Sequence, residues 1–559
     1  MILYPVMGKV NIDFQENNKD QNASDWKNGG RIMGNYLNVG NAGFTAVRKG
    51  TYVDKTGMIS FINHTLGTTN KLTCVSRPRR FGKSFAAKML CAYYDKSCDS
   101  RALFEGLEIS KDASFERHLN KYDVIYLDIT EFTSDAFIKK EMQNVVTNLE
   151  SSVIDELSGA YPDIEKQNSL PGMLYHIAEA TGRKFIFIID EWDALFRENQ
   201  KDTFLQESYI RLLRGLFKNS AKTDKMIEAA YMTGILPIKK YGTQSAMTDF
   251  KEYTMIQPEP LEAFTGFTEE EVRKLCEGSR LSFEEIQRWY DGYILGNNTH
   301  IYSPKSVIDA IQRNRIGNYW TQSESYESLK LYIEMDEDGL KETVIQMLGG
   351  ARMKIDVATF QNDMTTITCK DDVLTLLIHL GYLAYDMEKK SVYIPNEEVR
   401  EEFVRAVTTG KHTEIAKLIR SSDQLLEATL NMDEETVAAA IEQAHKAGTA
   451  PNFYNNEQAL RSVIRIAYIS CVDEFLRIEE LPSGHGYADV VFFPKKASSL
   501  PLLLIELKWN QTDQGAIEQI RQRDYPQGLR GYGGEILLVG INYDAKSKKH
   551  TCKIEKVRA

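Results

Sequence analysis

Arg77-Pro78-Arg79-Arg80-Phe81-Gly82-Lys83-Ser84 is the stretch whose reading decides the fold. It follows the apolar run Leu72-Thr73-Cys74-Val75 and precedes Phe85-Ala86-Ala87-Lys88-Met89-Leu90, which reads as helix. Strand, tight loop, Gly-Lys-Ser and helix is the layout of a P-loop. Loop amides and a helix N-terminus offer donors and positive dipole to phosphates. In this reading Lys83 reaches the β- and γ-phosphates of ATP, and the Ser84 hydroxyl ligates Mg²⁺. Arg79, Arg80, Phe81 and Gly82 complete the nucleotide-binding set; a guanidinium inside the loop can face phosphate oxygens. One departure stands out, since Arg77 occupies the motif's first glycine position. The competing reading is an ordinary basic turn before a helix.

Lys184 to Phe196 reads Lys-Phe-Ile-Phe-Ile-Ile-Asp-Glu-Trp-Asp-Ala-Leu-Phe. A continuous apolar run suits a parallel strand buried on both faces. It ends in Asp190-Glu191, at a strand's C-terminal end, where open α/β sheets bind ligands. Asp190 is expected to hold Mg²⁺ through water, and Glu191 to orient or deprotonate the attacking water. Alone, the segment also fits a core strand with a solvated acidic turn; paired with Gly82-Lys83-Ser84 that option recedes. Thr233, at the end of a further strand candidate, is a candidate γ-phosphate sensor, although a strand-terminal Thr is usually only a β-former. Arg211 and Arg214 follow the acidic pair without an assigned role.

The 559 residues exceed one core, and 42% hydrophobic content supports globular folding. No run approaches a transmembrane helix, and the first residues lack a basic region followed by a long apolar core. Seven scattered cysteines form no Cys-x-x-Cys pair, which fits reduced thiols in a cytoplasmic protein and gives no zinc signal. A net charge of −11 opposes nonspecific nucleic-acid binding by the whole molecule but not by a local patch. From Lys495 onward, eight Lys and four Arg stand against four Glu and three Asp.

The expected organisation has five parts. Residues 1–43 form a partly disordered arm, rich in Asn, Asp, Lys and Gly over 12–32. Residues 44–250 form an α/β P-loop domain, a parallel sheet with helices on both faces built on strands near 72–76, 124–128, 185–190 and 226–233. Residues 251–410 form a mainly helical lid, with Trp289-Tyr290-Asp291-Gly292-Tyr293 as a packing cluster, followed by a helix and hairpin of winged-helix type. Residues 411–450 read as a helical connector, and 451–559 as a second α/β domain.

In that last domain Gly486-Tyr487-Ala488-Asp489-Val490-Val491-Phe492-Phe493 is a strand led by an aspartate. Leu502-Leu503-Leu504-Ile505-Glu506-Leu507-Lys508-Trp509 is an apolar strand interrupted by Glu506 and Lys508. Period two puts those two on one face, and a hairpin can bring Asp489 alongside. Charges inside an apolar strand are costly unless paired or coordinated. Asp489 and Glu506 form a candidate Mg²⁺ site, and Lys508 a partner that orients water or stabilises charge at a phosphodiester. The competing reading is an edge strand whose Glu and Lys face water.

This arrangement resembles the PD-(D/E)XK nuclease superfamily. Asp489, Glu506 and Lys508 match its core motif, although Ala488 replaces the proline. The resemblance implies that Glu457 adds to the metal site and that Gln519 and Tyr525 belong to the Gln…Tyr helix of the branch fused to ATPases. With Tyr52-Val53-Asp54-Lys55-Thr56, the Arg77–Ser84 loop, Ile189-Asp190-Glu191-Trp192-Asp193 and Trp289–Tyr293, the chain resembles the AAA-ATPase-like proteins found in many bacteria. In these, Arg in place of the first glycine is typical and a nuclease-like domain follows. The leading expectation is an ATP-binding, ATP-hydrolysing protein with a Mg²⁺-dependent nuclease acting on nucleic acid, DNA by preference. A role in defence against foreign DNA rests on fold-level analogy. The alternative is a nucleotide-dependent switch or scaffold whose nuclease-like domain binds without cutting. A homo-oligomer is compatible with either, and no membrane partner is expected.

Overall fold

The computed structural model describes residues 34–558 apart from 200, 219, 239, 242–243, 246, 248, 297, 321–328, 331, 334–338, 361–366, 368, 410–412, 448–459, 461–462, 465–466, 470, 472–473, 484–485, 495–499 and 523–533. The arm expected over the first residues lies outside them up to residue 33. Over the described residues the chain divides into two compact units. One comprises the described residues up to Thr73, with Ser84–Trp192 and Phe204–Met232; the other comprises Cys74–Lys83, Asp193–Thr203 and the described residues from Thr233 onward.

Four strands follow the apolar runs: β1 (Leu72–Ser76), β2 (Asp123–Asp128), β3 (Phe185–Asp190) and β4 (Ile227–Gly234). Two-residue strands β5 (Lys240–Tyr241) and β6 (Gln244–Ser245) form a separate two-stranded sheet. With β7 (Lys251–Tyr253) the main sheet has the order β2-β3-β4-β1-β7. β2 and β3 are parallel, as are β3 and β4. Every residue of β1 and of β3 is buried, so both faces of these strands are covered. β4 starts just beyond the helix Ala221–Met226, which Ser220 caps by accepting from Thr223 N. The helix Leu170–Thr181 is capped by Ser169 and stops at Gly182, whose φ of 67° suits the left-handed turn into β3. Residues 35–37 are tied down by the Glu156 carboxylate, which accepts from three successive backbone N–H groups.

In the second unit, the stretch expected to be mainly helical carries a three-stranded sheet as well. Its strands β8 (Phe267–Thr268), β9 (Tyr293–Leu295) and β10 (Thr299–Tyr302) run in the order β8-β10-β9. Two to four residues are too few for a period of two to be legible. Helices Glu269–Cys276 and Phe283–Tyr290 flank it, each opened by a capping box. The winged-helix-like element is present. Helix Lys370–Leu380 ends at Gly381 with φ of 87°. Strand β11 (Met353–Lys354) then joins the hairpin of β12 (Ala384–Asp386) and β13 (Ser391–Tyr393) in the order β11-β13-β12.

Helices Thr413–Leu430 and Glu434–Ala447 precede a second five-stranded sheet. It comprises β14 (Phe475–Ser483), β15 (Gly486–Pro494), β16 (Leu502–Trp509), β17 (Glu535–Asp544) and β18 (Lys549–Arg558), in that order. Only β16 and β17 are parallel, joined through the helix Asp513–Gln522. β16 shows why strand periodicity matters here. Leu503, Ile505 and Leu507 pack in a core with Val437 and Ile441, while Leu502 and Leu504 pack with Ile517 and Ile520 of the Asp513–Gln522 helix.

Candidate functional site

The phosphate-type loop is built from the end of β1. Arg77, in the glycine position of the motif, is fully buried, and its NH1 donates to Ser76 O and Tyr253 O at 2.9 Å each. It acts as a brace between backbone segments. Arg80 and Gly82 both have positive φ, 65° and 86°, which curls the chain tightly. An added Cβ on Gly82 meets no atom within 4 Å, so the glycine is needed for conformation and not for space. Lys83 is almost wholly buried, and its Nζ donates to Pro78 O across the loop at 3.0 Å. The helix Lys83–Tyr94 starts at this lysine, and Ser84 is its half-buried second residue. Arg79 is exposed. The Phe81 ring, in contrast, sits in the core edge-on to Tyr293 at 5.5 Å, so only its backbone remains for a ligand. Thr233 is buried, and its hydroxyl has no hydrogen-bond partner among the described residues.

At the other acidic segment, Asp128 lies directly opposite Asp190 in the β2–β3 register. Asp190 is 1% exposed, and its Oδ1 accepts from Glu191 N at 3.1 Å. Glu191 itself has φ of 51°, a left-handed conformation rare for a residue with a Cβ. Asp128 also caps the helix Ile129–Lys139 through Thr130 N. Burial raises its pKa, and the Glu191 charge adds to this, while Lys88 opposes it. Sequence reasoning missed Asp128, although the Val124–Asp128 run ends in aspartate just as Phe185–Asp190 does. Asp193 of the same motif has a structural task. Its Oδ2 accepts from Ile235 N, Leu236 N and Arg197 Nε, anchoring the turn beyond β4.

In the second sheet Asp489, Glu506, Lys508 and Gln519 converge. Glu506 and Lys508 continue the Leu502/Leu504 face, on the side of the Asp513–Gln522 helix, and Asp489 shares the parity of Val491 on that side. All three charged residues are buried, Glu506 at 2% exposure. The β15–β16 register runs through Val490↔Ile505, and just beyond it the Asp489 carboxylate accepts from Leu507 N at 2.9 Å. Lys508 Nζ lies 3.5 Å from Glu506 Oε1 and donates to Gln519 Oε1 at 2.6 Å; Gln519 Nε2 donates to Glu506. Gln519 thus joins helix to strand at the charged pair. Glu457 and Tyr525 lie outside the described residues.

These features define a class: a phosphate-loop α/β protein carrying a nuclease-like mixed-sheet domain. Residues 38–243 match the family described as predicted AAA-ATPase, and residues 455–553 match the PD-(D/E)XK nuclease superfamily. The chain carries both an AAA-ATPase-like domain and a PD-(D/E)XK nuclease-like domain. No curated protein matches it. Among solved structures, the ORC2 protein of Aeropyrum pernix in ADPNP-ADP complexes is 12% identical, over 64% of this chain and 97% of that one, with a TM-score of 0.24. At that score the likeness carries no argument. Among the described residues no helix is long and apolar enough to cross a membrane.

Proposed function

We propose that this protein binds and hydrolyses ATP and that its C-terminal domain is a Mg²⁺-dependent nuclease acting on DNA. The observation that carries the proposal is the joining of Glu506, Lys508 and Gln519 on one buried face, with Asp489 on the same side. Two buried carboxylates form a hard oxygen donor set that fits a Mg²⁺ or Mn²⁺ ion. Such an ion would supply water activation and charge neutralisation at the phosphodiester. Asp489 and Glu506 would hold it. Lys508, fixed by Gln519, would place its ammonium beside the scissile phosphate and stabilise developing negative charge. Gln519 keeps both charged groups in register.

At the nucleotide, Lys83 would exchange Pro78 O for phosphate oxygens, Ser84 and Asp190 would hold Mg²⁺, and Glu191 would take a proton from the attacking water. Arg79 and Arg80 would add charge on the phosphates, and Thr233 would meet the γ-phosphate. Supercoiled plasmid, single-stranded DNA and RNA, incubated with Mg²⁺ or Mn²⁺ with and without ATP, test the reading. Metal-dependent cleavage lost in Glu506→Ala supports it. Parent protein that cuts none of the three substrates under any condition leaves the nucleotide-dependent switch as the function.

A further inference from the structure

The Trp289–Tyr293 segment contains a polar residue that packing does not absorb. Tyr290 and Tyr293 are buried and donate to Gly317 O and Gly381 O. Asp291, between them, turns to the β10 side. His300 Nδ1 lies 2.9 Å from its Oδ2 and 3.1 Å from its Oδ1. Glu269, the first residue of the helix Glu269–Cys276, completes the group. One donor atom each from Glu269, Asp291 and His300 lies within 4.8 Å of the others. Asp291 is held in place by its neighbour. A Cβ on Gly292 would meet Pro395 O at 1.9 Å, and Gly292 O accepts from Tyr393 OH.

A second, independent observation points into the same place. Tyr302 is two residues beyond His300 on β10, hence on the same face. Its side chain is fully buried, and its hydroxyl has no hydrogen-bond partner among the described residues. In the β8–β10 register Tyr302 stands opposite Phe267 and Ile301 opposite Thr268, so the partner strand runs directly into Glu269 beside His300. A buried hydroxyl left without a partner calls for an explanation, and a metal-bound water is one.

We propose that Glu269, Asp291 and His300 form a divalent-cation site for a first-row transition ion such as Zn²⁺, with Tyr302 turned towards a water on that ion. The chemistry fits. Two donors each about 2.1 Å from one metal ion are separated by roughly 3 Å, and the His300–Asp291 pair is already at 2.9 Å. An imidazole in the set selects Zn²⁺ or its neighbours over Mg²⁺. Arg273 Nε and NH2 both donate to one oxygen of Glu269, Oε1. Two carboxylates against that one guanidinium leave the cluster net negative and suited to a cation. The ion would clamp the Glu269–Cys276 helix, the end of the Phe283–Tyr290 helix and β10, the frame in which Tyr293 meets Phe81 of the phosphate-type loop.

The full chain, carrying Glu506→Ala to remove the nuclease-type site and saturated with Mg²⁺, is titrated with Zn²⁺ alone by calorimetry. One Zn²⁺ event is expected. His300→Ala and Asp291→Asn should each weaken it by more than about 100-fold, since losing a direct ligand exceeds the ~10–100-fold cost of losing an outer partner. Equal Zn²⁺ binding in folded His300→Ala, or no binding in the starting protein, overturns the site and leaves an Asp–His hydrogen bond. A readout that needs no substitution at the site is the Co²⁺-loaded protein. A paramagnetically shifted imidazole resonance is expected, and its absence sinks the proposal even if the variants fail to fold.

Discussion

Lys83 and Lys508 are both buried ammonium groups held by a neutral oxygen, Pro78 O in one case and Gln519 Oε1 in the other. Lys508 also lies 3.5 Å from Glu506 Oε1, and a phosphate oxygen would give either lysine a charge-assisted hydrogen bond. Hydrogen bonds to charged groups contribute about 1.5–3 kcal/mol. Lys83→Ala should therefore weaken ATP binding by roughly 10–100-fold, measured by calorimetry; unchanged affinity would remove the phosphate-loop assignment. At the other site Glu506→Ala should abolish both divalent-ion binding and cleavage. Lys508→Ala should cut the cleavage rate by about 100-fold or more while Mn²⁺ affinity stays within about twofold, because lysine is not a ligand. Equal loss of Mn²⁺ affinity in both variants would mean that Lys508 shapes the site instead. The shared face of Glu506 and Lys508 was legible because strand period is two. Gln519 was reached only through resemblance, since its partnership depends on how a helix lies on the sheet. Asp291 and His300 escaped notice as a pair because nine residues and a turn separate them.

The helix Glu397–Thr409 offers a test of a different kind. Glu398 Oε1 accepts from Tyr319 N and Trp320 N at 2.7 and 3.0 Å, and Asn318 Nδ2 donates to Glu402. Burial is the largest influence on Glu398 and, with help from Glu402, raises its pKa from 4.5 to about 7. The folded chain therefore holds this proton more tightly than the unfolded chain. The stability it contributes is complete below about 4.5 and is lost as pH rises to about 7. The sum is at most about 3 kcal/mol. Thermal unfolding of the parent should show its midpoint falling over that window, and Glu398→Gln, which mimics the protonated acid, should flatten part of the slope. Identical slopes would place the proton elsewhere. At this scale the long elements were readable from apolar runs and caps. The short strands β8–β10 were not, because two to four residues carry too little pattern and are held by their neighbours in the sheet.

For the molecule as a whole, the two proposed chemistries are assigned to separate sheets, so Glu506→Ala should leave ATP hydrolysis intact. If nucleotide state gates the nuclease, Lys83→Ala should lower the cleavage rate as well as ATP binding; a parent enzyme that cuts equally well without ATP keeps the nuclease and removes the coupling. The parallel sheet, the winged-helix-like element and the mixed C-terminal sheet were all legible from motifs spaced along the chain, because each motif brings a strand and a helix with it. The position of β1 within its sheet was not. It is the first of these strands to be synthesised, yet its neighbours are β4 and β7. Ile227 follows Leu72 by roughly 150 residues, which at 5–20 residues per second leaves β1 without either partner for about 10–30 s on the ribosome. A strand that is buried along its whole length in the folded protein, left with two open edges, is an aggregation hazard during that interval. Nascent chains ending before Ile227 are therefore the ones that should engage chaperones most strongly.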